Sequence, residues 1–291
     1  MKRLTALLTL VALLLVAGCA GQRQEPAGNN AQSDLQKIMS RNTSPRELID
    51  FANHNISSLT TAEATQLVLR LESTQRKQLD SRTNTLLEND KQTALQTLGF
   101  KGGIDDMING TSDKNLKNLL QETKASGFKL IPLEGCYYPI IDYERYKIYQ
   151  PYVTEDIKAY IDIAAAESEQ TCTDDAALVI SWSELAKRTL RAEAFVEKYP
   201  RSARIKDVRE QYNLYISNYL YGANNTPAFD YETHTLGDDA RQSYYETAQL
   251  PDNRLAGVIK QYLPILEKNK FKRTPEVEQF LKNAEKNLKS Q

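Results

Sequence analysis

Residues 195–216, FVEKYPRSARIKDVREQYNLYI, are echoed at residues 245–266 by YETAQLPDNRLAGVIKQYLPIL. At this constant offset of 50 residues, Arg204, Val208, Gln211 and Tyr212 match Arg254, Val258, Gln261 and Tyr262. Phe195, Ile205 and Ile216 face Tyr245, Leu255 and Leu266, so apolar character is kept. Each copy reads as the end of one helix, a turn containing proline, and a second helix with one apolar face. Repeated helix–turn–helix units bury such faces by stacking on one another. The expected fold is therefore mainly α: stacked helical hairpins, solenoid-like or an irregular bundle, with a small strand-and-loop segment near residues 128–153.

Working outward, the C-terminal part (154–291) predicts helices over 155–167, 175–198, 203–221, 239–248, 254–269 and 275–288. Pro264 should kink or break the fifth of these. Thr274-Pro275-Glu276 is a cap-plus-proline start for the last. The N-terminal part (34–127) carries two capping-box patterns, Ser44-Pro45-Arg46-Glu47 and Thr60-Thr61-Ala62-Glu63. Ala64, Leu67, Val68 and Leu71 continue the second at helical spacing past Leu79. A further segment over Leu86–Leu98 is closed by Gly99 and Gly102-Gly103, and a short helix runs from Ser112 to Gly127. Residues 128–153 (FKLIPLEGCYYPIIDYERYKIYQPYV) predict short strands, a hairpin around Glu134-Gly135, and an irregular aromatic stretch between the two parts.

The turn Lys198-Tyr199-Pro200-Arg201-Ser202 resembles the KYPxS turn of tetratricopeptide-like helical hairpins in bacterial envelope lipoproteins. The resemblance spans at most residues 175–290. The period of 50 departs from the usual period of about 34, and the Trp-Leu-Gly-Tyr core signature is missing. Stacked hairpins present a concave face that commonly holds a peptide or protein, or they simply build a helical core.

The other end of the chain carries an address. Lys2 and Arg3 precede Leu4–Ala17, an uncharged apolar run too short to span a bilayer core of roughly 30 Å comfortably. It ends in Val16-Ala17-Gly18-Cys19, which resembles the bacterial lipobox. That resemblance implies a signal peptide over residues 1–18, cleavage before Cys19, and a diacylglyceryl anchor on its thiol. Residues 19–33 are then the lipidated N-terminus and a flexible tether, since 21–33 hold almost nothing apolar to bury. The implied location is the extracytoplasmic face of the cell membrane. Ala20 is not the Asp that retains such proteins on the inner membrane, so a two-membrane host would place the chain in its outer membrane.

The mature chain carries 35 basic and 38 acidic residues, which is no footprint for nucleic acid. Cys136 and Cys172 remain once Cys19 is set aside. Outside the cytoplasm they form either a disulfide or two buried thiols, and they lack the CxxC spacing of a zinc or redox site. His54 and His234 have no ligand-spaced neighbour. No GxSxG, P-loop or GxGxxG occurs, and the acidic residues around Cys172 lack the pattern of a calcium loop. No catalytic residue, metal or cofactor is indicated.

Pro139-Ile140-Ile141-Asp142-Tyr143-Glu144 and Pro227-Ala228-Phe229-Asp230-Tyr231-Glu232 share the pattern P-x-apolar-D-Y-E. If these loops meet, Asp142, Glu144, Asp230 and Glu232 make paired carboxylates flanked by Tyr143 and Tyr231, fit for a cation, a sugar or a peptide. Otherwise they are edge strands whose acids cap turns. Tyr137, Tyr138, Tyr143, Tyr146, Tyr149 and Tyr152 crowd the first copy. They either stack on a ligand or pack a junction between subdomains with their hydroxyls wet. The expected role is non-catalytic binding or scaffolding at the envelope surface, toward a protein, peptide or cell-wall glycan. The alternatives are a solute-binding lipoprotein of a transporter, which requires two α/β lobes, and a glycan hydrolase using those carboxylates.

Overall fold

The computed structural model describes residues 27–99, 102–251 and 253–290. Its fold is mainly helical, with twelve α-helices and three two-stranded antiparallel pairs among the described residues. The first layer is α1 (Ala27–Ser40), α2 (Pro45–Asn55), a 3-10 turn (Ile56–Ser58) and the long α3 (Thr61–Leu86). Both expected capping boxes form. Glu47 accepts from the Ser44 N–H at 3.0 Å, and Glu63 from the Thr60 N–H at 2.9 Å, while each hydroxyl accepts from the N–H three residues on. Helix α1 begins earlier than the composition suggested. Residues 27–33, expected as tether, are helical because Ala31 joins Leu35 and Ile38 on one buried face. The signal segment and Cys19 lie outside the described residues.

A second layer holds α4 (Asn89–Leu98), α5 (Ile104–Gly110), α6 (Lys114–Ala125) and the hairpin β1 (Phe128–Leu133) and β2 (Cys136–Ile141). Helix α5 was not expected: Gly103, at φ +81°, starts a helix there rather than ending one. Helix α6 starts from Asp113, whose carboxylate accepts from the N–H of Asn115 at 2.8 Å and Leu116 at 3.3 Å. Strand register pairs Leu133 with Cys136, so Glu134 and Gly135 form the turn, both at positive φ as a tight hairpin requires. Gln92 of α4 clamps β2 by accepting from the Tyr137 N–H at 2.9 Å and donating to its carbonyl at 3.0 Å. The aromatic stretch expected to be irregular is a 3-10 helix, Tyr143–Tyr149.

Helix α7 (Glu155–Glu169) joins the halves. Its Ile157 and Ile161 pack with Leu48, Leu67 and Leu71 of the N-terminal core, whereas Tyr160 and Ile163 belong to the C-terminal core. That second core is built by α8 (Trp182–Lys198), α9 (Ile205–Tyr221), α10 (Asp238–Ala248), α11 (Arg254–Lys268) and α12 (Pro275–Lys289). Helix α8 is shorter than expected. Residues 173–178 instead form a hairpin, β3 (Thr173–Asp174) and β4 (Ala177–Leu178), turning at Asp175 and Ala176 with φ of 44° and 55°. The small pair β5 (Gly222–Ala223) and β6 (Thr226–Pro227) follows α9; a Cβ on Gly222 would meet the Thr226 carbonyl at 2.3 Å, so only glycine fits.

The sequence echo becomes two hairpins, α8–α9 and α10–α11. Val208, Tyr212 and Ile216 of one, and Leu255, Tyr262 and Leu266 of the other, are buried. The match fails at Tyr245, 39% exposed where Phe195 is 2%. Pro264 does not break α11. Pro264 and Lys260 both lie on the exposed face, so the carbonyl that loses its helical donor can turn to water.

This core buries Tyr212, Tyr215, Tyr219, Tyr244 and Tyr262. Burial raises every one of these phenols above the ordinary 10, Tyr219 to about 12. The unfolded chain therefore releases these protons first. Their contribution to stability is complete below pH 10 and is lost as pH rises through the folded values. Helix signal in circular dichroism and tyrosinate absorbance should change together in one alkaline transition above pH 10. Complete ionisation with the helices intact would contradict this.

Candidate functional site

The buried stripe of α3 that carries Val68 and Leu71 also carries Glu72 and Gln75. Glu72, 1% exposed, is the centre of a polar cluster between the two halves. Its Oε1 accepts from Arg76 at 2.8 Å and from the Tyr143 hydroxyl at 2.6 Å, as well as from the Tyr160 hydroxyl. Its Oε2 accepts from Arg204 at 2.6 Å. Arg76 turns its other arm to Asp207 at 2.7 Å, and Arg204 lies over the Tyr160 ring at 5.7 Å. Two guanidinium groups thus compensate two carboxylates, and α3, the 3-10 helix, α7 and α9 are tied at one point. Burial opposes the charge of Arg76, yet Tyr143, Tyr160 and Glu72 around it hold its guanidinium well above its ordinary pKa. Burial, followed by the Glu72 charge, raises the Tyr143 phenol. Deeper in, Gln75 donates to the Ser126 carbonyl at 2.8 Å and accepts from the Tyr146 hydroxyl.

Beside this cluster runs a groove of about 590 Å³. One wall is α7, with Tyr160, Ile163, Ala164 and Glu167 at helical spacing. The opposite wall is α9, with Asp207, Val208, Gln211 and Leu214. Leu79 of α3 and Ile140 and Ile141 of β2 complete it. The Arg76–Asp207 pair crosses from α3 to α9, and Lys129 reaches from β1 to Glu169 near the α7 C-terminus at 3.4 Å. The groove's lining is aliphatic along its length with charge at its margins.

The two P-x-apolar-D-Y-E segments have different partners. Tyr143 lines the groove, Tyr146 and Tyr149 pack behind it, and Asp142 faces Lys129 at 3.8 Å. Burial, first of all, raises the Asp142 carboxyl. Glu144 is spent on Lys147 at 2.7 Å. Tyr137 is buried against α4, and Tyr138 is half-buried on β2. Asp230, Tyr231 and Glu232 stand elsewhere. Asp230 accepts from the N–H groups of Glu232 and Thr233, and Tyr231, 61% exposed, donates to the Asn224 carbonyl. No hydrogen bond or ion pair joins residues 139–144 to 227–232 among the described residues; Asp142 and Glu144 are engaged with Lys129 and Lys147, and Asp230 with the backbone of its own turn. The capping alternative describes Asp230. The junction alternative describes Tyr143 and Tyr146, except that their hydroxyls are paired inside rather than wet.

Of the two alternatives left open for Cys136 and Cys172, free thiols are what the structure has, with Cys172 buried and Cys136 half-buried. Cys136 sits at the hairpin turn of β2, while Cys172 is enclosed in the C-terminal core, where burial pushes its thiol up to about 11. Among the described residues no three His, Cys, Asp or Glu side chains are placed to hold a metal. Strands pair only within two-stranded antiparallel units there, which does not build the two α/β lobes of a solute-binding lipoprotein. Comparison with known proteins finds no family model that matches the chain, and no curated protein or solved structure that matches it significantly.

Proposed function

We propose that the chain is a bacterial lipoprotein anchored through Cys19 at the extracytoplasmic face of the membrane, in the outer membrane of a two-membrane host. Its helical domain is a non-catalytic binding or scaffolding module that uses the groove between α7 and α9. The observation that carries the binding role is the groove itself. The ionisable groups beside it, Glu72, Arg76, Arg204 and Asp207, are engaged with one another, which leaves an aliphatic trough of about 590 Å³ as the available surface. Binding sites are commonly such concave, mostly apolar clefts. The lipobox residues Val16-Ala17-Gly18-Cys19 support the anchor, and the tetratricopeptide-like turn of the C-terminal hairpins is consistent with holding a partner.

Two measurements test the two halves of this reading. Cys19→Ser should leave the protein unprocessed or release it from the membrane fraction; fractionation and processing like wild type would remove the anchor. A photo-crosslinking residue at Leu214, on the groove lip, should give adducts in intact cells that the same probe at Leu250 does not. Leu250 is comparably exposed and does not line this groove. Equal adducts at both, or none at Leu214, would remove the binding site.

A further inference from the structure

Resting on that binding role, we infer that the groove's occupant is a neutral acyl lipid: an aliphatic chain joined through an ester carbonyl to an uncharged head. Charge excludes most alternatives. Each ionised side chain on the lining already has an opposite partner: Arg76 with Asp207 at 2.7 Å, Glu167 with Arg188 at 3.1 Å, and Glu210 with Lys206 at 3.9 Å. A carboxylate, phosphate or ammonium entering beside the aliphatic wall would lose water and meet no free counter-charge there. Leu79, Ile140, Ile141, Ile163 and Val208 instead suit an uncharged chain. The volume of about 590 Å³ falls in the range of roughly 300–1,000 Å³ typical of small-molecule clefts.

One polar group is left over. Gln211, half-buried on α9, lines the groove, and its amide Nε2 is enclosed with no hydrogen-bond partner among the described residues. Buried donors are almost always paired, so this one marks where an acceptor of the occupant belongs. A single carbonyl on an aliphatic chain supplies it. An extended peptide suits the wall less, since it brings an N–H and a C=O at every residue and each needs a partner. A helix bonds those groups internally, and its main chain leaves Gln211 unpaired. The counterpart of Gln211 in the sequence echo, Gln261, is exposed and does not line this groove.

The three cores are built from residues between Leu35 and Leu288, so the mature chain from Ala20 carries the whole fold without lipid or detergent. Calorimetric titration of this chain, below the micellar concentration, should show monooctanoylglycerol binding saturably at one site. Octanoate and octylammonium, which put the same chain on a charge, should bind at least about tenfold more weakly. Octyl glyceryl ether, which keeps chain and head but lacks the carbonyl, should also lose about tenfold. Gln211→Leu should weaken the ester by about tenfold and leave the ether unchanged, so that the two become equal. Gln261→Leu should change neither, and Leu214→Arg, at the groove lip, should weaken both. Octanoate or octylammonium binding as tightly as the ester, or an ester–ether difference that survives in Gln211→Leu, would overturn the inference. Binding of none of these ligands would overturn it too; crosslinks at Leu214 would then show that the groove holds something else, and their absence would remove the groove reading as well.

Discussion

Glu72→Ala should destabilise the fold by about 3–5 kcal/mol, because it removes the buried carboxylate that two guanidinium groups share at a nearly dry point. Arg76 would keep Asp207, but Arg204 would lose its 2.6 Å partner and hold only a 3.6 Å contact to Asp207. The Tyr143 and Tyr160 hydroxyls would lose their acceptor together. The loss would fall between the halves, since the cluster joins α3 to α7 and α9. Denaturant unfolding should therefore show either a much lower midpoint or a new intermediate in which one core melts first. Glu72→Gln, which keeps an acceptor and the shape, should cost less than alanine. A midpoint shift corresponding to under about 1 kcal/mol for the alanine variant, the range of an exposed ion pair, would contradict the picture.

Glu193→Ala should cost about 3 kcal/mol, the sum expected for leaving several buried donors unpaired. Glu193 lies on α8 with 1% exposure, yet it acts on another helix. Its carboxylate accepts from the first two N–H groups of α11, Arg254 at 2.9 Å and Leu255 at 3.1 Å, and from the Tyr212 hydroxyl at 3.1 Å. These are donors that a helix start cannot satisfy internally, so the first hairpin caps the second. Burial raises the Glu193 carboxyl above its ordinary 4.5. Its titration thus adds stability that is complete below 4.5 and is lost as pH rises through the raised value. The advantage of wild type over Glu193→Gln should narrow from acidic to neutral pH in chemical denaturation. A constant gap would show that this carboxyl does not titrate differently on folding.

Local signals were the legible part of the fold. The two capping boxes and the Glu134-Gly135 turn depend on neighbours a few residues apart, and each is formed; the 50-residue echo is kept as two helical hairpins except at Tyr245. Where two local signals competed, the reading failed. Ser181 and Glu184 mark the true start of α8, the serine hydroxyl accepting from the Glu184 N–H at 3.1 Å, but the apolar run from Ala177 masked that cap. Gly102-Gly103 looks the same before a helix as after one.

The site was less legible. Tyr143 was singled out for its crowding, whereas Glu72, Arg76 and Asp207 read as ordinary helix charges. A trace was present: Glu72 and Gln75 fall on the stripe of Val68 and Leu71, where a surface charge does not belong. That placement indicates a buried acid but not its full set of partners: Arg76 lies one turn further along α3, whereas Tyr143, Tyr160 and Arg204 meet it only through the packing of elements far apart in sequence.

Helix α1 has a mechanical consequence if the proposed anchor is at Cys19. Pulling force enters at Ala27 and meets a fourteen-residue helix held on one side by Ala31, Leu35 and Ile38, with the Thr43 hydroxyl locking the Ile38 carbonyl at 2.7 Å. Loaded from its N-terminal end, such a helix unzips turn by turn, whereas the layers beyond it must be sheared apart. Drawing α1 out would lengthen the leash by about 28 Å, from 1.5 Å to roughly 3.5 Å per residue, while the groove and everything behind it stay folded. For the proposed anchored protein, α1 would then be a reserve of length released under tension before the cores break.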